Sequence, residues 1–455
     1  MPAPALNGET GRVVRNALWR YLPEIQTVAK NVTVERTTQP AVPLDFSVTD
    51  RAAFERFTDV SDIALTQLDE GTHLLDLMRN PGTRTTKTIA SLLMIARAVS
   101  HIRRTGERVL LLTPTSGNKG TALRDAVARA HASGLATPDE LRIVMLAPEA
   151  SRSKLRDCAL TTDAQTRRGN PVVLARVDRP ADVKLLSNAV AEQHADELLT
   201  RTGFRLWYTL DLDNYRIADA VRAFVEHDLM PLTENSAPRT HVHAVSSAFG
   251  LLGYHLGHRL LTEGLRAGDP GPARHPAFFL VQQPATPDMV VSLLGTDMPD
   301  YAYDNAAGAW RQNVSPAFPA VTDDPAEAID ATFYTKQPVT SAQINGIVAE
   351  HGGGGVVVSR RECLDRLDQV RELAARAGVH IDPDTTLIRE WSLVKALTGT
   401  LVARERGLLR ADEEVVVHAS GFYTDSMIPP MRDEHIERVA TVDEMVRLVF
   451  AAARD

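Results

Sequence analysis

Four short segments carry residue types that could do chemistry. The first, Asn80-Pro-Gly-Thr-Arg-Thr-Thr-Lys87, runs from a turn into a stretch whose apolar spacing predicts a helix over 87–103. A lysine at the opening of a helix meets the positive end of the backbone dipole, which disfavours its ammonium form. The neutral amine is the form that makes a Schiff base. Taken alone, Lys87 reads more simply as a solvated residue behind a Pro-Gly turn. The second segment, Thr113-Pro-Thr-Ser-Gly-Asn-Lys-Gly120, lies between an apolar run and a helical pattern. Its glycines allow close backbone approach to a ligand, and the helix start offers N–H groups to an anion. Thr115 and Ser116 add hydroxyls, and Asn118 can donate to a phenolic or carbonyl oxygen. The third, His243-Ala-Val-Ser-Ser-Ala-Phe-Gly250, has small residues that could form a phosphate cup, though no Walker lysine follows. The fourth, Val415-Val-Val-His-Ala-Ser420, delivers Ser420 to the end of a strand, where open α/β sheets bind ligands. Ordinary caps and turns account for each of the last three when read singly.

The elements that must hold these segments alternate. Strands are expected at 108–113, 141–146 and 171–177, and helices at 121–134, 151–159 and 183–200. That order implies βαβ units and parallel sheets. A polar stretch over 233–240 separates a second block, with strands near 241–245, 278–282 and 414–418. Gly352–Gly355 reads as a flexible turn into a strand over 356–358, and residues 1–60 as an irregular arm with some helix. The 455 residues are too many for one ordinary core. A net charge of −8 argues against a nucleic-acid partner. Two cysteines, no apolar leader and no bilayer-length apolar run point to a cytoplasmic protein without a membrane partner. His241, His243, His255 and His258 lack carboxylate or cysteine partners at ligand spacing, so no metal is expected.

In order, the four segments resemble the threonine synthases of the fold type II (tryptophan synthase beta-like) pyridoxal-phosphate enzymes. Their cofactor lysine lies in a stretch like Asn-Pro-Thr-Gly-Ser-Phe-Lys-Asp-Arg, and their Thr-Ser-Gly-Asn-x-Gly loop stands intact at 115–120. Ser247-Ala-Phe-Gly250 echoes their Gly-Asn-Phe-Gly phosphate loop, and Ser420-Gly-Phe-Tyr-Thr-Asp425 their Thr-Gly-His-Gly-Leu-Lys-Asp. Leu18-Trp-Arg-Tyr-Leu-Pro23 and the stretch from Ala375 to Pro383 extend the likeness. The chain departs by one extra residue before Lys87, by Thr88-Ile89 in place of Asp-Arg, and by a less glycine-rich phosphate loop.

The resemblance implies an α/β fold of two open, mostly parallel sheets flanked by helices, with the active site between the domains. It divides the chain into 1–100 (arm and first part of the large domain), 101–235 (a smaller mobile domain with the Thr-Ser-Gly-Asn loop) and 236–455 (the rest of the large domain). It implies a lyase or synthase in which Lys87 carries pyridoxal 5′-phosphate and acts as the general base. Asn118 would meet the ring oxygen, residues Ser246, Ser247, Ala248, Phe249 and Gly250 the phosphate, and Ser420 the ring nitrogen. Thr85, Thr115, Ser116 and Gly117 would bind an amino-acid substrate, which a phosphorylated hydroxy-amino acid would fit. Lys119, Arg84 and Lys154 are candidates to neutralise a leaving phosphate, although solvent exposure is the plainer reading of each. A homodimer is the family's habit. The alternatives are a hydroxy-amino-acid dehydratase or deaminase, and a relative that has lost catalysis and only binds.

Overall fold

In the computed structural model, which describes residues 11–35, 44, 46–209, 213–330 and 338–454, strands and helices alternate through two open sheets. The larger sheet runs β1 (Arg12–Val14), β2 (Ile63–Asp69), β3 (Thr72–Asp76), β15 (Glu414–Ala419), β8 (Arg239–Ala244), β9 (Ala277–Gln282) and β13 (Gly353–Val357). Pairing from β3 to β13 is parallel, while β1, β2 and β3 pair antiparallel at one edge. The smaller sheet is parallel throughout, in the order β17 (Ile436–Val439), β6 (Val172–Ala175), β5 (Leu141–Pro148), β4 (Arg108–Pro114) and β7 (Phe204–Tyr208). Short strands β10 (Ala302–Asp304), β11 (Ala309–Arg311) and β12 (Val321–Thr322) make a small antiparallel sheet, and β14 (Ile388–Glu390) pairs with β16 (Tyr423–Thr424).

The central strands are apolar along their whole length because both faces are covered. Leu110, Leu111 and Leu112 of β4 and Val415, Val416 and Val417 of β15 are all fully buried. The Lys87–Thr105 helix is buried almost all round, with Leu92, Leu93 and Ile95 at zero exposure. It packs on the Asn118–Ser133 helix of the smaller domain and on the Asp213–Asp219 helix. The element that starts at Lys87 is therefore clamped between the two halves of the molecule.

A hairpin turn at Glu70-Gly71, with Gly71 at φ 75°, joins β2 and β3. Several expectations are corrected. The helix expected over 151–159 is two 3-10 turns, Glu149–Lys154 and Ala159–Thr161. The chain between them is extended, with Arg156 bridging Pro430, and Lys154 turns inward to buried carboxylates. The glycine run is itself strand from Gly353 onward: there φ is 133°, and a Cβ would stand 1.9 Å from the Phe278 carbonyl oxygen. β7 went unread. The expected division at 236–455 also differs from the sheets, because β17 and the Val442–Ala452 helix return to the smaller domain. The helices Asp213–Asp219 and Val221–Leu229, expected in the smaller domain, pack on the Phe249–Thr262 helix beside the larger sheet.

Candidate active site

A cavity of about 290 Å³ opens between the two sheets, at the small end of the size range of ligand pockets. All four segments reach it. Lys87, Asn118, Ser420, Thr85, Thr115, Ser116 and the loop 246–250 line its wall; Gly117 does not.

Lys87 is the first residue of its helix, with Thr86 as cap. The turn before it is held from both sides. Arg84 adopts φ 43°, Thr88 Oγ1 donates to the Thr85 carbonyl at 3.0 Å, and the Thr83 and Thr88 hydroxyls bond at 2.7 Å. Thr86 N–H donates to the Ser420 carbonyl at 2.9 Å, and Thr85 bridges Gly421. Thr88, which stands in place of the resembling family's aspartate, thus closes the turn that aims Lys87. The Lys87 Nζ lies over the Tyr215 ring, 5.2 Å from its centre. Burial holds its ammonium below the ordinary lysine range; Asp219 and Glu390 oppose the shift and Arg222 adds to it.

The loop 115–120 is built around one hydroxyl. Thr115 Oγ1 accepts from the N–H groups of Gly117 and Gly120, both at 3.0 Å. Both hydroxyls line the cavity, and Ser116 is the less buried of the pair. Gly117 sits at φ 127°, and a Cβ there would meet Lys154 Cβ at 2.8 Å. Asn118 is gripped at both ends. Its Nδ2 donates to Glu390, and its Oδ1 accepts from the Tyr423 hydroxyl at 2.8 Å.

The loop 246–250 turns from β8 into the Phe249–Thr262 helix, with Ala248 at φ 51°. Gly250 leaves room for a guanidinium: a Cβ there would come within 2.5 Å of Arg222. Arg222 is buried, ion-paired to Asp219 at 2.7 Å, and donates to Thr86 Oγ1 at 2.8 Å and to His418 Nδ1 at 2.9 Å. A polar chain continues away from the cavity. His418 Nε2 meets His241 Nδ1 at 2.7 Å, and His241 Nε2 lies 3.1 Å from Glu226. Since Arg222 can only donate, His418 carries its proton on Nε2, and His241 in turn on Nε2 toward the carboxylate.

Sequence reasoning missed Arg222, Glu390 and Asp330. Lys154 Nζ sits between Asp330 and Glu390, 3.2 Å from the latter, and Lys395 lies 3.6 Å from Asp330. Lys154 is thus a buried ion-pair partner and not a solvated side chain. Burial alone would raise both acids. Lys154 and Lys395 outweigh it at Glu390 and hold that acid below its usual range, whereas burial and the Glu390 charge keep Asp330 above its own. Lys119 also faces the cavity; burial, with Lys184 and Lys87 nearby, brings it down to about 7. Arg222, Glu390 and Asp330 sit in none of the four segments. The only hint was an apolar neighbourhood around a charge, as in Trp391 beside Glu390.

This architecture is the fold of the threonine synthases, fold type II pyridoxal-phosphate enzymes. The chain is similar to the threonine synthase of Brucella melitensis at 13% identity and a TM-score of 0.55, covering 99% of this chain and 93% of that one. It is similar to the Escherichia coli threonine synthase at 13% and 0.54, covering 98% and 91%, and to the yeast one at 11% and 0.52, covering 98% and 90%. No curated protein sequence matches. Over residues 13–453 the chain belongs to the family described as DUF6002, a family of unknown function.

Proposed function

We propose that the chain is a pyridoxal-phosphate-dependent lyase or synthase that eliminates or replaces a group at Cβ or Cγ of an amino acid. The observation that carries this reading is the convergence on one cavity of a lysine with a disfavoured ammonium, an N–H-rich turn backed by a guanidinium, and a serine at a strand end. These groups fit the cofactor. Residues 246–250 and Arg222 suit its phosphate, Lys87 its aldehyde, Asn118 its ring oxygen and Ser420 its ring nitrogen. When bound, the cofactor supplies an electron sink for the carbanion at Cα.

The chain's own residues then have separable tasks. Ser116 and the adjacent N–H groups hold the substrate carboxylate. Tyr423 and Glu390 fix the Asn118 amide. Lys87, whose ammonium form burial disfavours, takes the Cα proton as general base. Ser420 would hold the ring nitrogen with a hydroxyl and not an acid, which would suit expulsion of a leaving group. Lys119 and Lys184 favour an anionic leaving group, and we assign the substrate to the O-phosphorylated hydroxy-amino acids, in a specialised cytoplasmic pathway. No described helix is long and apolar enough to cross a membrane.

Reconstituted protein is expected to show an absorbance band near ~410–420 nm from the lysine-bound cofactor, lost in Lys87→Ala. A band of equal strength in that variant, or none in the wild type, would remove the enzyme reading and leave a binding protein. Phosphate release from an O-phosphorylated hydroxy-amino acid, set against ammonia release from the unphosphorylated one, separates the proposed substrate class from a dehydratase or deaminase.

A further inference from the structure

Away from the cavity, beside the starts of β9 and β13, three histidines from distant segments meet. His255 lies in the Phe249–Thr262 helix, His275 just ahead of β9, and His351 is the last residue of the Ser341–His351 helix. One ring nitrogen of each lies within 4.8 Å of the others. His255 Nδ1 and His275 Nε2 are 2.7 Å apart, and the His275 and His351 rings stack with centres 4.1 Å apart. All three are half-buried, neither free in solvent nor sealed in the core.

Their protonation is partly dictated. His275 Nδ1 stands 2.7 Å from the Pro276 carbonyl oxygen. A carbonyl only accepts, so Nδ1 carries the proton and Nε2 turns its lone pair to the cluster. A backbone carbonyl that fixes the outer nitrogen of an imidazole is the usual support of a metal-binding histidine. His258 is tied off in the same way, its Nε2 donating to the Arg274 carbonyl at 2.9 Å, so it stands as a wall.

Without a cation, the three rings share a single N–H···N bond. We propose that His255, His275 and His351 form a site for one divalent transition-metal ion of the zinc class, with a fourth position open to water. Imidazole donors suit zinc, cobalt, nickel or copper, whereas calcium and magnesium want oxygen. Ligand nitrogens about 2.0–2.1 Å from a tetrahedral ion lie roughly 3.4 Å from one another. The present spacings, 2.7 Å for one pair and at most 4.8 Å for the others, bracket that value, so side-chain rotation closes the site. The ion would join three segments: the helix that begins at the 246–250 loop, the entry to β9, and the helix end before the glycine-rich edge strand β13. The ligands are far apart in the chain, which is why sequence spacing gave no sign of them.

The test uses full-length protein without an affinity tag, stripped with chelator and incubated with zinc or cobalt. Elemental analysis after gel filtration is expected to give one ion per chain, with visible cobalt bands and a raised melting midpoint. His275→Gln and His351→Gln are expected to lose the ion and the midpoint shift while keeping the wild-type circular dichroism. Should the half-buried His275 variant misfold, His351→Gln at the helix end carries the test alone. No retained ion in the wild type, or equal retention in the folded variant, overturns the site. The cofactor band of Lys87, read in the same samples, is independent of this result.

Discussion

Lys119 lines the cavity without a carboxylate partner among the described residues, and its ammonium is the disfavoured form there. The folded protein releases this proton near pH 7, while the unfolded chain keeps it to its ordinary value of 10.5. Its contribution therefore opposes folding fully below about pH 7, and that opposition fades as pH rises from there toward 10.5. The same proton makes the cavity more cationic in mild acid. Sulfate, whose own charge is constant in this range, is expected to bind more weakly as pH rises from about 6 to 8. In Lys119→Met, a flat titration by calorimetry is expected; an unchanged slope would place the titrating group elsewhere. At this scale the sequence was partly legible. Lys87, Ser116, Asn118 and Ser420 could be named only through the order of their four segments and the family resemblance it carries, since each segment alone reads as an ordinary turn. Arg222 and Glu390 could not, since each reaches the site from an ordinary helix or strand and matters only through partners far away in the chain.

The Phe249–Thr262 helix lies close on its neighbours because three glycines face them. A Cβ at Gly257 would stand 2.4 Å from the Ala220 carbonyl oxygen, and at Gly253 2.4 Å from Asp219 Cβ. Backbone cannot step aside as a flexible side chain can, so Gly257→Ala is expected to cost about 1–3 kcal/mol by overpacking. The opposite error, Leu93→Ala in the fully buried Lys87 helix, is expected to cost about 2–5 kcal/mol through the void it leaves. Urea denaturation of both variants checks these values; a neutral Gly257→Ala would mean that the helix slides without loss. Strand identity was legible where strands are buried on both faces, as with 108–113 and 414–418, because covered strands are uninterrupted apolar runs. The 151–159 segment misled because helical composition there yields to the burial of Lys154 against Asp330 and Glu390.

Seen whole, the molecule is tied together by its last strand and helix. β17 pairs with β6 at one edge of the smaller sheet, and Met445, Val449 and Phe450 complete that domain's core. A chain ending at residue 435 is expected to lose order in the smaller domain first. Hydrogen exchange should then show β6 and β5 unprotected while β8 and β9 stay protected. Uniform loss of protection would mean that the two domains fold as one unit. This return was illegible in the sequence, because a short strand of mixed polarity carries no sign of which sheet it joins.

The place of β15 bears on how the chain is made. It is the middle strand of the larger sheet, between β3 and β8, yet it is synthesised after every other strand of that sheet. At about 5–20 residues per second, a ribosome takes roughly 20–70 s to travel from β3 to β15. From the emergence of β8 onward, the edges of β3 and β8 that pair with β15 both lack that partner strand. Pairing β3 directly with β8 is the error within reach, and it would shut out the strand that carries Ser420. The nascent chain must hold that gap open, so the ligand cavity closes only after the six other strands of the larger sheet have been made.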